Sequence, residues 1–271
     1  MTVATKGALL GALLWFLHPP EPPAGARYLA SQFRCAPFSE TIQSSVRAES
    51  GTASVADKAG RVGLVFLTAR DSTAGILVEA WYDSLAVWRE TSLGREAPDT
   101  EGFLGGRFRG LLTGDGRYRS IKDPFVPDDV AQVADLASAM DEFLPRLPPI
   151  VLEVGRDWRD STTTITRDPD VRQQGQLFQR YRWTSSARKG ERYDITDSAA
   201  VILDQVVKEQ GQLLFSPTLG PLSWSRAVTV AARVPATGGV KRVLHSTVEQ
   251  RIDVVRRFDL AGQCGGAGAA Q

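Results

Sequence analysis

The sequence predicts a mainly β protein with one long helix, in the α+β class, in which a strongly curved antiparallel sheet packs on that helix. Most of the chain alternates apolar and polar side chains with a period of two and is interrupted by glycine and proline turns, which is typical of strands. Residues 128–144 instead carry apolar side chains at helical spacing. Each side of this helix holds several predicted strands and ends in a hairpin, which suggests that the sheet consists of two similar halves.

The helix is predicted over residues 128–144. Its apolar stripe consists of Val126, Val130, Val133, Leu136, Ala137, Met140, Phe143 and Leu144. Pro127 suits the first turn because its missing N–H would be unpaired there in any case, and Pro145 ends the helix because its ring disfavours helical geometry at the residue before it. We expect the stripe to pack on the sheet, since the polar face is acidic and therefore unsuited to a lipid surface.

Strands are predicted on both sides of the helix. They are rich in β-branched and aromatic residues and cover residues 61–69, 75–83, 150–154, 158–166 and 176–184. Gly114, Asp115 and Gly116 indicate a hairpin turn, because glycine and aspartate tolerate positive φ. Residues 240–258 fit both a strand and a helix, and their β-branched content together with a preceding hairpin signal favours the strand.

Residues 1–26 have the pattern of a secretory signal peptide. Lys6 supplies the positive charge, residues 8–17 form a short apolar core, and residues 24–26 read Ala-Gly-Ala, an A-x-A cleavage site. The apolar core is too short to span a bilayer as a helix, so cleavage is favoured over an uncleaved anchor. We therefore expect an exported bacterial protein, periplasmic or extracellular, whose mature chain begins near Arg27 and has no stable transmembrane span.

The mature chain is expected to divide at the helix. The predicted organisation is an N-terminal β-rich half at 27–126, the helix and a proline linker at 127–149, a C-terminal β-rich half at 150–260 and a disordered glycine- and alanine-rich tail at 261–271. The two cysteines, Cys35 and Cys264, lie near the ends of the mature chain. A bridge between them would contribute on the order of 4–5 kcal/mol on the chain-entropy model, and two unrelated thiols are the alternative.

Several kinds of chemistry are excluded by the residues present. Lys+Arg number 32 and Asp+Glu 31, and this balance argues against a nucleic-acid partner. His18 lies in the predicted signal peptide, which leaves His245 as the single histidine of the mature chain, too few for a zinc site of the His/Cys kind. The sequence has no phosphate-binding loop, dinucleotide fingerprint or G-x-S-x-G elbow, so we expect no metal, no cofactor and no catalytic residue.

Carboxylate pairs are the remaining route to an enzyme. Glu79 with Asp83, or Asp157 with Asp160, would suit the acid and base of a hydrolase if they faced each other across a cleft. With 31 acidic residues in the chain, such neighbours arise by chance. A hydrolase is therefore an alternative and not the leading hypothesis.

A short set of residues after the helix resembles a pattern in uncharacterised bacterial exported proteins and lipoproteins. The set is Leu147, Pro148, Val151, Val154, Gly155 and Trp158. In those proteins a first β half ends in a helix, and an LP…V…G…W segment opens a second β half. The layout is also similar to that of periplasmic carriers in which a curved sheet wraps on helices around an apolar ligand. The resemblance implies no activity, and the missing lipid-attachment cysteine after the apolar core argues against a lipid anchor.

The leading functional hypothesis is a non-enzymatic binding or carrier module of the cell envelope for an apolar ligand. A concave sheet with a helix over it leaves an apolar groove. The predicted ligand-binding residues are the aromatic residues Trp81, Trp158, Phe178, Tyr181 and Trp183, with Trp88 and Trp224 as further candidates. One alternative is a structural or interaction module with an envelope protein as its partner, in which these side chains only pack the core. The other is the hydrolase.

Overall fold

The computed structural model describes residues 25–50, 53–141, 143–173, 175–196, 199–234 and 244–265. Within these residues twelve strands form one antiparallel sheet. The strands are β1 (Ala36–Ser50), β2 (Ala53–Ser72), β3 (Gly75–Thr91), β4 (Gly94–Glu96), β5 (Phe108–Leu112), β6 (Tyr118–Lys122), β7 (Asp157–Arg159), β8 (Thr163–Gln173), β9 (Gln176–Thr196), β10 (Ala199–Ser216), β11 (Gly220–Val234) and β12 (Leu244–Arg256). Their order is β6-β5-β3-β2-β1-β12-β11-β10-β9-β8-β7, and β4 pairs with β3.

One face of the sheet carries the core. Along β1 the side chains of Phe38, Glu40 and Ile42 are buried, whereas the residues between them at 39 and 41 are less so. Directly opposite residues in antiparallel strands point to the same face. The pairing of β1 with its neighbours therefore extends this face across the sheet. We call it the inner face and the other side the outer face.

The predicted long helix is wrong, and the fold is mainly β with a single sheet rather than α+β. Only α1 (Asp128–Ala131) is α-helical in the predicted range, and turns and irregular chain make up the rest of its described residues. We call residues 126–141 and 143–147 the strap, because they cross the inner face. The apolar side chains that the helical spacing identified are mostly buried against the sheet; they include Val130, Leu136, Met140, Phe143 and Leu144.

The helix ends early because its backbone groups find other partners. In a continuous helix the Asp135 carbonyl would accept the Ala139 N–H. Instead the buried Arg61 donates from Nη1 to the Asp135 carbonyl at 3.2 Å, and the Ala139 N–H donates to the Leu136 carbonyl at 3.2 Å. The Ser138 hydroxyl donates to the Asp135 carboxylate at 2.6 Å, a local bond that competes with helix formation. Helical spacing therefore identified buried side chains but not the backbone conformation.

One end of the sheet is closed by segments near the two ends of the described chain. The Tyr28 hydroxyl donates to the Pro145 carbonyl of the strap at 2.8 Å. Burial raises the pKa of the Tyr28 phenol, which keeps it protonated and able to donate. The predicted bridge between Cys35 and Cys264 is formed and holds the segments before β1 and after β12 together at this end.

At the opposite end six strands run on past their neighbours. β3 pairs with β2 only as far as Lys58, and β8 pairs with β9 only as far as Ser185. We call the continuation of the six strands the extension; it comprises residues 44–50, 53–59, 185–196, 199–209, 228–234 and 244–250. The pairs of β1 with β2 and β12, and of β12 with β11, contain no bulge, so the inner face continues unbroken into the extension.

The remaining predictions fall on both described and undescribed parts of the chain. Most of the predicted signal peptide, residues 1–24, and residues 266–271 of the predicted tail lie outside the described residues. Strands from both predicted halves lie in one sheet and meet at the β1–β12 pair. Within the described part of 240–258, residues 244–256 form strand β12, and residues 113–117 turn between β5 and β6. Among the described residues, no helix has the length and apolar character to cross a membrane.

Candidate functional site

The inner face of the extension carries rows of side chains that lie directly opposite one another on neighbouring strands. The junction row, next to the core, consists of Ile42, Ile252, Arg226, Gly211 and Trp183. The polar row follows and consists of Ser44, Gln250, Val228, Glu209 and Ser185. The apolar row comes third and consists of Val46, Val248, Val230, Val207 and Ala187, and it ends at Asp57 of β2, which lies opposite Val46. Such rows are the units through which a sheet face makes contacts.

Beyond the third row the inner face is mixed, because Ala48, Val55 and Ala232 share it with Ser246, Gln205 and Lys189. We call the apolar row together with Ala48, Val55 and Ala232 the inner tract. Val46 and Val55 are 37% and 56% exposed, and no residue of the tract belongs to the core cluster. The outer face of the same strands is mostly polar; its side chains include Arg47, Glu49, Lys58, Arg188, Lys208, His245, Thr247 and Glu249. The apolar side of the extension is therefore the inner one.

A first cavity of about 420 Å³ lies between the strap and the part of the sheet that carries the junction and polar rows. Its sheet wall includes Ser44, Arg226 and Gln250. Its strap wall includes Asp135 and Asp141. The volume lies within the range of about 300–1,000 Å³ that is usual for small-molecule sites.

An ion pair is buried in one wall of the first cavity. Arg61 donates from Nε to Glu40 Oε2 and from Nη2 to Glu40 Oε1, both at 3.0 Å, and the Tyr82 hydroxyl donates to Glu40 Oε2 at 2.8 Å. Burial and then the charge of Glu40 raise the pKa of Tyr82, so its phenol remains a donor. Because Arg61 also holds the Asp135 carbonyl, this network positions the strap. We assign it a structural role.

A second cavity of about 300 Å³ lies beside the first and has aromatic walls, to which Trp183 and Trp224 contribute. Trp183 donates from Nε1 to Glu209 Oε1 at 2.7 Å, and Arg226 Nη1 lies 3.9 Å from the same oxygen. The side chain of Arg226 is 14% exposed. Arg226 and Asp141 line both cavities, so one cationic and one anionic side chain lie at the boundary between the two spaces.

Three of the five predicted ligand-binding residues lie on the inner face. Trp183 lines the second cavity, and Trp158 lies in the same cross-strand row, because both are opposite Ile165. Trp158 packs on the edge of the core. Tyr181 is buried within the core, where its hydroxyl donates to Gln179 Oε1 at 2.9 Å. Tyr181 therefore lines neither cavity.

The other two predicted residues, Trp81 and Phe178, lie on the outer face. Trp81 stacks on Phe66 with ring centroids 5.5 Å apart, and the Arg107 guanidinium carbon lies 3.6 Å from the Trp81 ring centroid. Phe178 is buried three positions before Tyr181 on the same strand, which places it on the opposite face. The structure therefore does not bring these two side chains together with Trp183.

The sequence analysis missed the valines of the apolar row and Arg226 as site residues. One signal was present, since Val248 and Ile252 share the parity of the apolar positions of β12. That parity does not show which residues on β1 and β11 lie opposite. The row forms because Val46 and Val230 both pair with Val248, and this depends on the register.

Three of the four carboxylates that were candidates for a hydrolase have other partners. Glu79 forms an ion pair with Arg109 at 2.5 Å. A hydrogen bond from the Thr166 hydroxyl is the main cause that lowers the pKa of Asp157, and two backbone N–H groups of the following turn lower that of Asp160. A general acid needs a raised pKa, so neither aspartate is suited to that role. Within the described residues, no three His, Cys, Asp or Glu side chains are grouped to hold a metal ion.

Comparisons with known proteins give weak structural likenesses. No protein-family model and no curated protein matches the chain. A lipovitellin structure, titled for its lipid–protein interactions, matches with a TM-score of 0.43 and 12% identity over 83% of this chain and 25% of that chain. The β domain of the Bordetella autotransporter BrkA matches with a TM-score of 0.23 and 12% identity over 82% of this chain and 99% of that chain. The chain thus spans about a quarter of the lipovitellin chain, and at these TM-scores neither likeness bears on the site.

Proposed function

We propose that this protein is a non-enzymatic binding module of the cell envelope, in which the inner tract holds the apolar chain of a lipid-like ligand. The observation that carries the proposal is the apolar row on an incompletely covered inner face, beside an outer face of polar and charged side chains. A ligand that buries about eight methylenes there would gain about 6 kcal/mol before ordering costs.

The length of the inner face of the extension suits an acyl chain. From Gln250 in the polar row to Leu244 at the start of β12 this face covers six residue steps, about 20 Å at the usual rise per residue, and the inner tract lies in the middle of it. The acyl chains of one membrane leaflet span about 15 Å, half of the hydrocarbon thickness. A flat protein partner would not need the two cavities that the polar row helps to line. An acyl chain is therefore favoured over the protein-interaction alternative.

The disulfide supports an envelope location. A bond between Cys35 and Cys264 persists in an oxidising compartment such as the periplasm or the extracellular space, and is rare in the bacterial cytosol. An exported protein that binds acyl chains would meet them at membrane surfaces. This is the setting in which the proposed module acts.

Substitutions on the two faces of β11 and β12 test the proposal. Val248→Asn and Val230→Asn place an amide on the inner tract, whereas Thr247→Asn and Thr229→Asn place the same amide on the outer face one residue away. Each inner substitution should cost about 1–1.5 kcal/mol of apolar contact, which is roughly a tenfold weaker Kd for a fluorescent long-chain acyl probe. The outer substitutions should change Kd by less than about twofold.

Two outcomes would contradict the proposal. One is equal loss of affinity in the inner and outer variants, and the other is failure of the wild-type protein to bind any acyl probe. Thermal unfolding of all four variants checks that they are folded. Native mass spectrometry of the protein exported from a bacterial host should in addition show co-purifying lipid that the inner variants have lost.

A further inference from the structure

We infer that a group of basic residues on the outer face docks the protein on the surface of an anionic membrane. These residues lie near the β6 edge of the sheet, on the other face from the inner tract, so the inference does not rest on the proposed function. We call them the basic patch; they are Arg70, Arg107, Arg109, Arg119 and Lys122. The inference is carried by the strand register, by an excess of positive charge and by an exposed aromatic side chain.

Strands β5 and β6 bring three of these side chains together. The burial pattern of β5 alternates, and Arg109 and Leu111 occupy the outward positions between the buried ones. Lys122 of β6 lies opposite Arg109, and Arg119 of β6 lies opposite Leu111. Directly opposite residues on neighbouring strands have their Cβ atoms about 5 Å apart. The three cations therefore lie within one small area of the outer face.

The basic patch continues across β3 to β2. Leu77 of β3 lies opposite both Arg70 of β2 and Leu111 of β5, so Arg70 belongs to the same cross-strand row. Arg107 lies just before β5, where its guanidinium covers the outer-face ring of Trp81. Half-buried leucines thus alternate with exposed cations over four neighbouring strands.

Acidic side chains do not balance this positive charge. Arg109 forms an ion pair with Glu79 at 2.5 Å. Among the residues that the structure describes, the other four members of the basic patch form no ion pair with an acidic side chain. Asp83 of β3 and Asp123 after β6 lie nearby, so five basic residues face three acidic ones. The basic patch keeps a net positive charge.

The outer face of the extension carries charges of both signs side by side. Lys58 of β2 lies opposite Glu90 of β3, and Arg188 of β9 forms an ion pair with Asp204 of β10. Opposite charges that lie this close largely cancel at the distance of a membrane surface. The negative potential of an anionic membrane should therefore attract the basic patch and not the extension.

An exposed aromatic side chain favours a membrane over a soluble polyanion. Phe125 is 78% exposed, and together with Arg107, Arg109 and Lys122 it lines a surface cavity of about 650 Å³. The interface of a bilayer accepts an aromatic ring beside basic side chains, whereas a hydrated polyanion gives the ring little apolar contact. The disulfide in addition favours an oxidising compartment, where membrane surfaces are at hand and nucleic acid is not.

Vesicle binding by the protein exported from a bacterial host tests the inference. Sedimentation with vesicles of phosphatidylcholine alone, and of phosphatidylcholine mixed with phosphatidylglycerol, gives the two affinities. The mixed vesicles should bind about twentyfold more tightly, because each of the two net positive charges near an anionic surface contributes about fivefold. Added salt should reduce this ratio, since it screens exposed charges.

Variants assign the binding to the basic patch. Arg119→Gln/Lys122→Gln should weaken binding to the mixed vesicles about twentyfold and leave binding to phosphatidylcholine unchanged. Arg47→Gln/Lys58→Gln is the matched control, because it removes the same charge from exposed positions on the outer face of the extension; it should change binding by less than about twofold. Phe125→Ser should weaken binding to the mixed vesicles about tenfold.

Three outcomes would overturn the inference. They are equal binding to the two kinds of vesicle, equal weakening in the two double variants, and binding of heparin or DNA as tight as that of the mixed vesicles with no effect of Phe125→Ser. Thermal unfolding checks that all variants are folded. Arg119→Gln/Lys122→Gln should also keep the wild-type Kd for the acyl probe, so the docking surface and the acyl-chain site are tested separately.

Discussion

Replacement of Arg61 by methionine should leave the Glu40 charge buried without its partner. Glu40 is 2% exposed and accepts two hydrogen bonds from Arg61 at 3.0 Å, with a third from Tyr82 at 2.8 Å. Removing one member of a buried pair costs about 3–5 kcal/mol. Both side chains line the first cavity, through which water can approach, so we expect the lower end, about 3 kcal/mol.

Urea unfolding followed by tryptophan fluorescence measures this loss. With an m value of about 3 kcal/mol/M, the midpoint should fall by about 1 M. Arg89→Met is the control: Arg89 pairs with Asp57 at 2.9 Å, but its side chain is 42% exposed, so the change should stay within about 1 kcal/mol. The double variant Glu40→Gln/Arg61→Met should recover part of the loss, since no buried charge remains. A loss of less than about 1 kcal/mol at neutral pH, or an equal loss in Arg89→Met, would refute the idea that this pair anchors the strap.

Two further predictions concern the packing and the charges of the C-terminal strands. Gly211→Ala would place a Cβ 2.6 Å from a backbone carbonyl and closer still to the Trp183 ring, so it should lower the unfolding free energy by about 1–3 kcal/mol. Gly102→Ala, whose Cβ would meet its nearest neighbour at 3.5 Å, should change it by less than about 0.5 kcal/mol, and equal effects in urea titrations would contradict the packing argument. The hydrogen bond from Arg182 is the main cause that lowers the pKa of Asp168. The ionised Asp168 therefore stabilises the folded chain above about pH 4, and this stabilisation is lost as the pH falls further. In Arg182→Gln the unfolding midpoint should fall less steeply with pH over that acidic range than in the wild-type protein. The same pH profile in both proteins would contradict this prediction.

Much of the strand content and the closure of the chain ends could be predicted from the sequence because they rest on local signals, whereas the predicted strand at 150–154 is wrong, since these residues form turn and irregular chain. Period-two alternation is a property of each strand by itself, and it marked β2, β3 and β9. With two cysteines in the chain, one disulfide is possible, and the alternative was two unrelated thiols. The structure forms the disulfide between Cys35 and Cys264. These features need no knowledge of the register.

The prediction of a long helix was wrong because a residue distant in the sequence binds a backbone carbonyl within the predicted range. The spacing of Leu136, Met140 and Phe143 is helical, yet the Asp135 carbonyl is taken by Arg61, which lies 74 residues away in the sequence. The candidate site was missed for the same kind of reason. Its apolar row exists only through pairings between strands, and no window of one strand contains that information.

The pairing of β1 with β12 has a consequence for how the protein is made. Among the described strands, β1 is first in the sequence and β12 is last, and β12 lies in the sheet between β1 and β11. One edge of β1 therefore stays unpaired until β12 has been synthesised. Until residues 244–256 emerge, both of these neighbours expose unpaired backbone edges, which are templates for aggregation. A chain cut off before residue 244 should consequently precipitate rather than fold as a smaller domain.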